Sequence, residues 1–335
     1  MEYRPLGRTG VKVSPLCLGC MNFGASTPAE DATRIIDRAL DEGVNFLDTA
    51  NVYARGLSEE ITGEALRRNG KRSRVVVATK VYGRVADDDV NAMGGSRRHI
   101  IEQCEASLIR LRTDYIDLYQ MHRPDPNVPI DETLRALDDL VRSGKVRYIG
   151  TSTFAAWQIV ESLWVSKELG LNRFVTDQSP YNLLDRRAER ELAPMAQTFG
   201  IALNPWSPLG GGLLTGKYKR GKAPGKETRY GSPGSERWRS RLVDTLYDTL
   251  DHLEPLAASK DCSLAQFSMA WLMAQPGVVA PIAGPRTMGH LNDYLDALKV
   301  TISPDDCAAV DAIIPPGAHA SPFYAGPWGP HTHRV

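Results

Sequence analysis

The strongest constraint on this chain is a rhythm. From Pro15 onward, short apolar runs alternate with longer stretches of helical period; the runs cover 15–19, 44–48, 74–79, 115–121, 146–151, 174–178, 201–206 and 278–283. Continuous apolar runs of this length read as strands buried on both faces. Between them, Leu134, Leu137, Leu140 and Val141 share one face of 131–143, and Ile100, Ile101, Cys104, Leu108 and Leu111 do the same across 96–111. Eight strand–helix units predict an α/β fold, a (β/α)8 TIM barrel, whose functional groups sit at the C-terminal ends of the strands. An open doubly wound sheet is the alternative; it predicts a Gly-x-Gly-x-x-Gly turn after the first strand. The stretch Gly19-Cys20-Met21-Asn22-Phe23-Gly24 does not supply that turn. A length of 335 residues suits one barrel, so a single domain over 1–335 is expected.

The additions to the barrel are also legible. Residues 1–14 hold two short extended pieces around Arg8-Thr9-Gly10, which predicts an N-terminal β-hairpin closing one end. After strand seven the pattern breaks. Residues 207–236 are rich in Gly, Pro, Lys and Arg, and so long a loop reads as a lid, a binding loop or a disordered segment. Helical segments follow near 236–256 and 264–274, a last helix covers 303–313, and 314–335 form a C-terminal tail. That tail either covers the barrel mouth or hangs free. Ser58 before Glu59-Glu60-Ile61 reads as a helix N-cap, and Ser143-Gly144 and Leu169-Gly170 read as helix ends.

Composition closes off other classes. The 40 basic and 40 acidic residues cancel, so no basic excess speaks for nucleic acid or an anionic membrane. No run approaches the roughly 18–20 apolar residues of a membrane helix, and Met1–Gly7 lack an apolar signal region, so a cytoplasmic protein is expected. Five cysteines are few and odd in number, which argues against a disulfide framework.

Several apolar runs end in polar groups. Phe46-Leu47 runs into Asp48, with Tyr53 five residues on; 74–79 ends at Lys80, and 115–121 at His122. A tyrosine has a pKa of about 10 and keeps its proton at neutral pH. An adjacent ammonium stabilises the phenolate, a carboxylate orients and charges the ammonium, and a histidine hydrogen-bonds a substrate oxygen. Such a set suits protonating an oxygen as hydride attacks a carbonyl. The hydride must come from a cofactor, because no side chain donates one.

The stretch Asp48–Tyr53, Ala78-Thr79-Lys80 and Gln120-Met121-His122-Arg123 resembles the Asp/Tyr/Lys/His tetrad of the aldo-keto reductases. Leu6-Gly7-Arg8-Thr9-Gly10 and Leu18-Gly19-Cys20-Met21-Asn22-Phe23-Gly24 resemble the bacterial aryl-alcohol-dehydrogenase-like branch, which is also close to potassium-channel β subunits. The resemblance runs from about residue 3 to about 313. It implies a barrel reductase using NADPH/NADP, with Tyr53 as proton donor, Lys80 tuning it, Asp48 holding Lys80, and His122 orienting the carbonyl. It also places Ser152, Thr153 and Gln178 at the nicotinamide carboxamide, Trp206 stacked on the ring, and Cys20, Met21 and Asp48 beside it. Ser207, Leu209 and Gly211 would line the pyrophosphate, with Lys217 and Arg229 reaching the phosphates. Gly284-Pro285-Arg286-Thr287 matches the segment that holds the adenosine 2′-phosphate; the planar fork of Arg286 favours NADP over NAD. The family's Ser-Asn pair is Ser152-Thr153 here, and its adenine-contacting Gln and Asn fall on His290 and Tyr294, with Asp293 retained. Met21, Tyr82 and Arg123 would shape the substrate pocket for a small carbonyl or alcohol.

Each signal has a plainer reading. A lone Tyr53, Lys80 or His122 is usually a packed or solvated residue, and only the set argues for catalysis. Gly211-x4-Gly216-Lys217-Tyr218 mimics a P-loop, yet Tyr218 stands where magnesium binding needs Ser or Thr. Cys17-x2-Cys20 would point to opposite faces of a strand and make no metal pair; no metal site is expected, and His331-x-His333 reads as a solvated end. Trp157 and Trp164, seven apart, are expected to pack on the barrel. Two rival functions remain open: an NADPH-sensing regulatory subunit with slow or no turnover, and a barrel enzyme using Lys80 as a Schiff-base nucleophile. An oligomer is left open.

Overall fold

The computed structural model describes residues 1–321. A hairpin of β1 (Arg4–Pro5) and β2 (Lys12–Val13) precedes eight further strands: β3 (Cys17–Gly19), β4 (Phe46–Asp48), β5 (Val76–Val81), β6 (Ile116–Met121), β7 (Val146–Ser152), β8 (Phe174–Gln178), β9 (Ala202–Leu203) and β10 (Ile282–Ala283). These eight form one sheet in the order β10-β3-β4-β5-β6-β7-β8-β9, and each neighbouring pair is parallel. The sheet closes on itself beside β9. Leu203 N–H donates to Gly277 O at 3.0 Å, Val279 N–H to Leu203 O at 2.9 Å, and Ile282 N–H to Pro205 O at 2.8 Å. The fold is therefore the (β/α)8 barrel that the alternation of runs predicts.

Helices α1 (Ala29–Asp41), α2 (Leu57–Asn69), α3 (Arg97–Leu111), α4 (Ile130–Arg142), α5 (Ala156–Leu169) and α6 (Leu192–Phe199) follow strands β3 to β8 in turn. The unit after β9 carries α7 (Asp244–Ala258) and α8 (Leu264–Met273); α9 (Met288–Ala297) and α10 (Pro304–Ile313) complete the chain, with α10 packed on α7 outside the ring. Alternation along each strand makes two cores. Leu18, Leu47, Val77, Tyr119 and Ile149 turn outward to meet Ile36, Ile100, Leu137 and Ile159 of the helices. Cys17, Phe46, Ala78, Leu118 and Ala202 fill the barrel interior. The hairpin stops the lower end by adding Leu6 and Val13 to that inner cluster. Its turn needs glycine: Gly7 has φ +59°, and a Cβ there would lie 2.6 Å from Val175 O.

Three local expectations are corrected. Ser58 is not an N-cap: α2 starts at Leu57 with Gly56 (φ 94°) at the cap, and the buried Ser58 Oγ donates to Cys20 O at 2.8 Å. Trp157 and Trp164 do share one face of α5, but it is the outer one, 52% and 63% exposed, while Ile159, Ser162, Leu163 and Ser166 face the barrel. The single helix expected over 236–256 is a 3₁₀ turn, Glu236–Arg241, followed by α7.

The long loop folds on itself: Tyr230 OH donates to Gly210 O at 3.1 Å, and the Tyr218 and Tyr230 rings meet edge-on at 5.1 Å. Beyond α10 the chain runs back along the loop after β8, where Arg186 N–H donates to Ala318 O and Ala320 N–H to Leu184 O, both at 2.9 Å. The remainder of the 314–335 tail, including His331 and His333, lies outside the described residues. Among the described residues no helix is long and apolar enough to cross a membrane.

Candidate active site

The polar ends of β4, β5 and β6 converge above the apolar interior. Asp48 closes β4, Lys80 stands on β5, His122 follows β6, and Tyr53 opens a 3₁₀ turn, Tyr53–Gly56, just past β4. Lys80 Nζ donates to Asp48 Oδ1 at 2.5 Å, to Thr49 O at 2.7 Å and to Tyr53 OH at 3.3 Å. The three hydrogens of the ammonium thus have three acceptors. Asp48 Oδ2 accepts from Gln178 Nε2 at 2.5 Å and from Gln120 Nε2 at 3.2 Å. The pair is buried, Lys80 at 1% and Asp48 at 3% exposure. Burial opposes the charge on Lys80, but the Asp48 carboxylate and the Tyr53 oxygen outweigh it and hold the ammonium above the usual lysine range. The His122 ring meets the Tyr53 ring edge-on, centroids 5.7 Å apart at 80°. Burial, with the Lys80 and Arg123 cations beside it, pushes His122 well below the usual histidine range, so it is neutral near pH 7.

The strand exits carry backbone strain. Ala54 (φ 48°) and Arg55 (φ 56°) follow Tyr53, Thr153 (φ 61°) follows Ser152, and Ser207 (φ 53°) follows Trp206. Left-handed non-glycine residues cost about 1–3 kcal/mol each and persist where the surroundings over-determine them. Here they bend the chain immediately after side chains that face the same cavity.

That cavity measures about 800 Å³, within the range of small-molecule sites. Asp48, Tyr53, Lys80 and His122 stand at one end of its wall with Met21 and Arg123. Ser152, Gln178, Trp206, Ser207 and Leu209 line it as well. Gly211, Lys217, Arg229, Arg286, His290 and Asp293 line another part of it and neighbour one another. Cys20, Thr153 and Tyr82 are not in the wall. Cys20 is turned outward into the helix layer, as strand alternation requires when Cys17 and Gly19 face inward; burial pushes its thiol up to about 12. The Thr153 hydroxyl is occupied by Arg123 Nη1 at 2.9 Å, and Tyr82 packs against the outer core. Asn22, Gly212, Thr215 and Ser263 line the cavity without having been singled out in the sequence, and Tyr294 joins them. Asn22 was the most accessible of these to inference, since it leaves β3 beside Met21. Its Nδ2 donates to Gly284 O at 3.0 Å and ties the first strand exit to the last.

The part of the wall that holds Lys217, Arg229 and Arg286 is cationic. Lys217, Arg229 and Arg286 form no ion pair among the described residues. Burial and mutual repulsion among these cations push Lys217 and Arg229 below their usual ranges. Gly211 and Gly212 sit against them, with φ +69° and +99°; a Cβ on Gly212 would come within 3.1 Å of Lys217 Nζ. Unneutralised cations beside a glycine cradle fit a ligand with several anionic oxygens. His290 Nδ1 accepts from Arg286 N–H at 3.4 Å, which leaves the ring proton on Nε2. Among the described residues no cluster of His, Cys, Asp and Glu is placed to hold a metal.

Comparison with known proteins agrees with this geometry. The sequence profile described as "Aldo/keto reductase family" matches residues 15–315. The chain is 40% identical to the uncharacterized oxidoreductase YrpG of Bacillus subtilis, over 97% of this chain and 100% of that protein. It is 37% identical to a probable voltage-gated potassium channel subunit beta of Oryza sativa, over 94% of this chain and 97% of that one. It is 36% identical to versiconal hemiacetal acetate reductase of Aspergillus parasiticus, over 91% and 95%. With the profile spanning nearly all of the barrel and relatives aligned end to end, the chain belongs to the aldo/keto reductase family.

Proposed function

We propose that the chain is an NADPH-dependent carbonyl reductase acting on a small aldehyde or ketone, with Tyr53 as the proton donor. The observation that carries this reading is the buried ammonium of Lys80, held by Asp48 and directed at the Tyr53 hydroxyl at 3.3 Å. A phenol that must release its proton becomes a phenolate, and a fixed cation at that distance stabilises it without reorganisation. The reduced nicotinamide supplies the hydride. Tyr53 gives its proton to the carbonyl oxygen, Lys80 holds the resulting charge, and Asp48 keeps Lys80 charged. His122, neutral and edge-on to Tyr53, is a hydrogen-bonding partner for the same oxygen. Gln178 joins the buried pair to the cavity wall, since its amide donates to Asp48 and it lines the cavity.

NADPH in preference to NADH is supported by Lys217, Arg229 and Arg286, which form no ion pair among the described residues. An added 2′-phosphate would pair with cations that are not ion-paired within the chain. Relatives named an oxidoreductase and a reductase support the same reading. The test is Tyr53→Phe: NADPH consumption with aldehydes should fall by about 10²- to 10⁴-fold, while quenching of protein fluorescence by NADPH persists. Near-normal turnover in Tyr53→Phe refutes the assignment. Tight NADPH binding with no turnover on any reactive aldehyde favours the regulatory-subunit alternative.

A further inference from the structure

Arg123 stands next to His122 in sequence and lines the same end of the cavity. Its guanidinium is half-buried, and one nitrogen is committed: Nη1 donates to His122 O at 2.7 Å and to Thr153 Oγ1 at 2.9 Å. Its Nε and Nη2 have no protein acceptor, and no carboxylate lies within ion-pair distance, among the described residues. Tyr53, Tyr82, His122 and Asp177 are the titratable groups facing it. Asp177 is engaged elsewhere, accepting from Thr151 Oγ1 at 2.8 Å and from Ser179 Oγ.

The chain contains its own contrast. Arg186, more deeply buried, closes its fork on Glu189 at 2.7 and 3.0 Å and adds Asp311 at 2.7 Å. That is how an arginine with a purely structural role is satisfied here. Arg123 has no such partner: it is only partly buried, and the free side of its fork belongs to a residue that lines the cavity. Thr153 adds a cost of its own: a β-branched residue at φ 61° is strained, and its hydroxyl holds the guanidinium in place.

We propose that Arg123 anchors a carboxylate on the substrate, so that the carbonyl reduced at Tyr53 belongs to an oxo acid or a carboxylated aldehyde. This rests on the reductase reading above and adds the substrate class to it. The carboxylate itself is unchanged by the reaction. The carbonyl carbon gains the hydride from NADPH, which leaves as NADP⁺, the π pair moves to oxygen, and that oxygen takes the Tyr53 proton. Thr153 is a positioning residue, acting through Arg123.

The test compares matched pairs with NADPH: 4-carboxybenzaldehyde against methyl 4-formylbenzoate, and 4-oxobutanoate against butanal. In at least one pair the wild type should favour the acid by about 10- to 100-fold in kcat/KM, carried mainly by KM, the worth of a charge-assisted fork. Arg123→Gln should bring that ratio to about one, and Arg123→Lys should keep only part of it. Thr153→Val should lower it and Thr153→Ser should retain it, which separates positioning from folding. Independently of turnover, benzoate should bind the NADP-saturated wild type in calorimetry and fail to bind Arg123→Gln. Turnover of the uncharged aldehydes without preference for either acid overturns this inference and leaves the reductase intact. Absence of turnover with every aldehyde overturns both.

Discussion

The buried pair Asp48–Lys80 permits a quantitative test. Asp48→Asn keeps the shape but removes the counter-charge of an ammonium that is 1% exposed. An uncompensated buried charge costs about 3–5 kcal/mol. The chain can limit the loss by neutralising the lysine, which from a pKa near 10.4 costs about 4.6 kcal/mol at pH 7. Both routes give the same scale, so Asp48→Asn should lose about 3–5 kcal/mol at pH 7. The pH dependence follows. In the wild type, Lys80 is held above its unfolded value, and that contribution is fully present below about pH 10 and fades as pH rises through the folded pKa. In Asp48→Asn the raising influence is gone and burial prevails. The folded pKa then drops below the unfolded one, and the penalty shrinks by about 1.4 kcal/mol per pH unit once the lysine deprotonates. Urea unfolding of the wild type, Asp48→Asn, Lys80→Met and the double variant at pH 7 and pH 10 reads this directly. The deficit of Asp48→Asn should be smaller at pH 10, and the double variant should recover stability relative to it, because an apolar replacement leaves no orphan charge. A loss under about 1 kcal/mol at pH 7, or additivity of the two single variants, refutes the reasoning.

Further outcomes are expected. Arg286→Ala should weaken NADPH binding by about 10- to 100-fold and NADH binding by less than about 3-fold; equal losses in fluorescence titrations remove the 2′-phosphate assignment. Gly212→Ala, at φ +99° and against Lys217, should lower stability by about 1–2 kcal/mol and weaken NADPH, as read by melting with and without cofactor. Arg112 ends α3 in the left-handed conformation at φ 53°, so Arg112→Gly should add about 0.5–1 kcal/mol in urea unfolding; the exposed ion pair lost with Glu64 offsets little. Because His122 is pushed well below its usual range, kcat/KM on an uncharged aldehyde should show no His122 inflection near pH 6.5. An inflection there that disappears in His122→Gln contradicts the electrostatics.

The barrel was legible because strands covered on both faces leave continuous apolar runs, and the runs at 74–79 and 115–121 mark β5 and β6 closely. Asp48, Lys80 and His122 were legible because each ends such a run. Cys20 was misplaced although alternation held the answer: with Cys17 facing inward, a residue three positions on faces out. The tryptophans of α5 show a real limit. Spacing fixes that Trp157 and Trp164 share a face, but a helix with apolar residues all round does not declare which face is inner. The cationic wall was only half readable, since Lys217 and Arg229 lie in a segment without periodicity and neighbour each other through the Tyr218–Tyr230 contact. The free fork of Arg123 was not readable at all. It depends on which of the 40 acidic residues come near in space.

The hairpin of β1 and β2 has a consequence for traffic. With Leu6 and Val13 wedged into the base, the barrel is stoppered at that end, and the cavity opens among the strand exits and the loops that follow them. Under the proposed function the larger guest lies along the whole passage, from the lysine-backed floor to the arginine-lined rim. The smaller guest would then have only the space left beside it, and the order to expect is dinucleotide in first and out last.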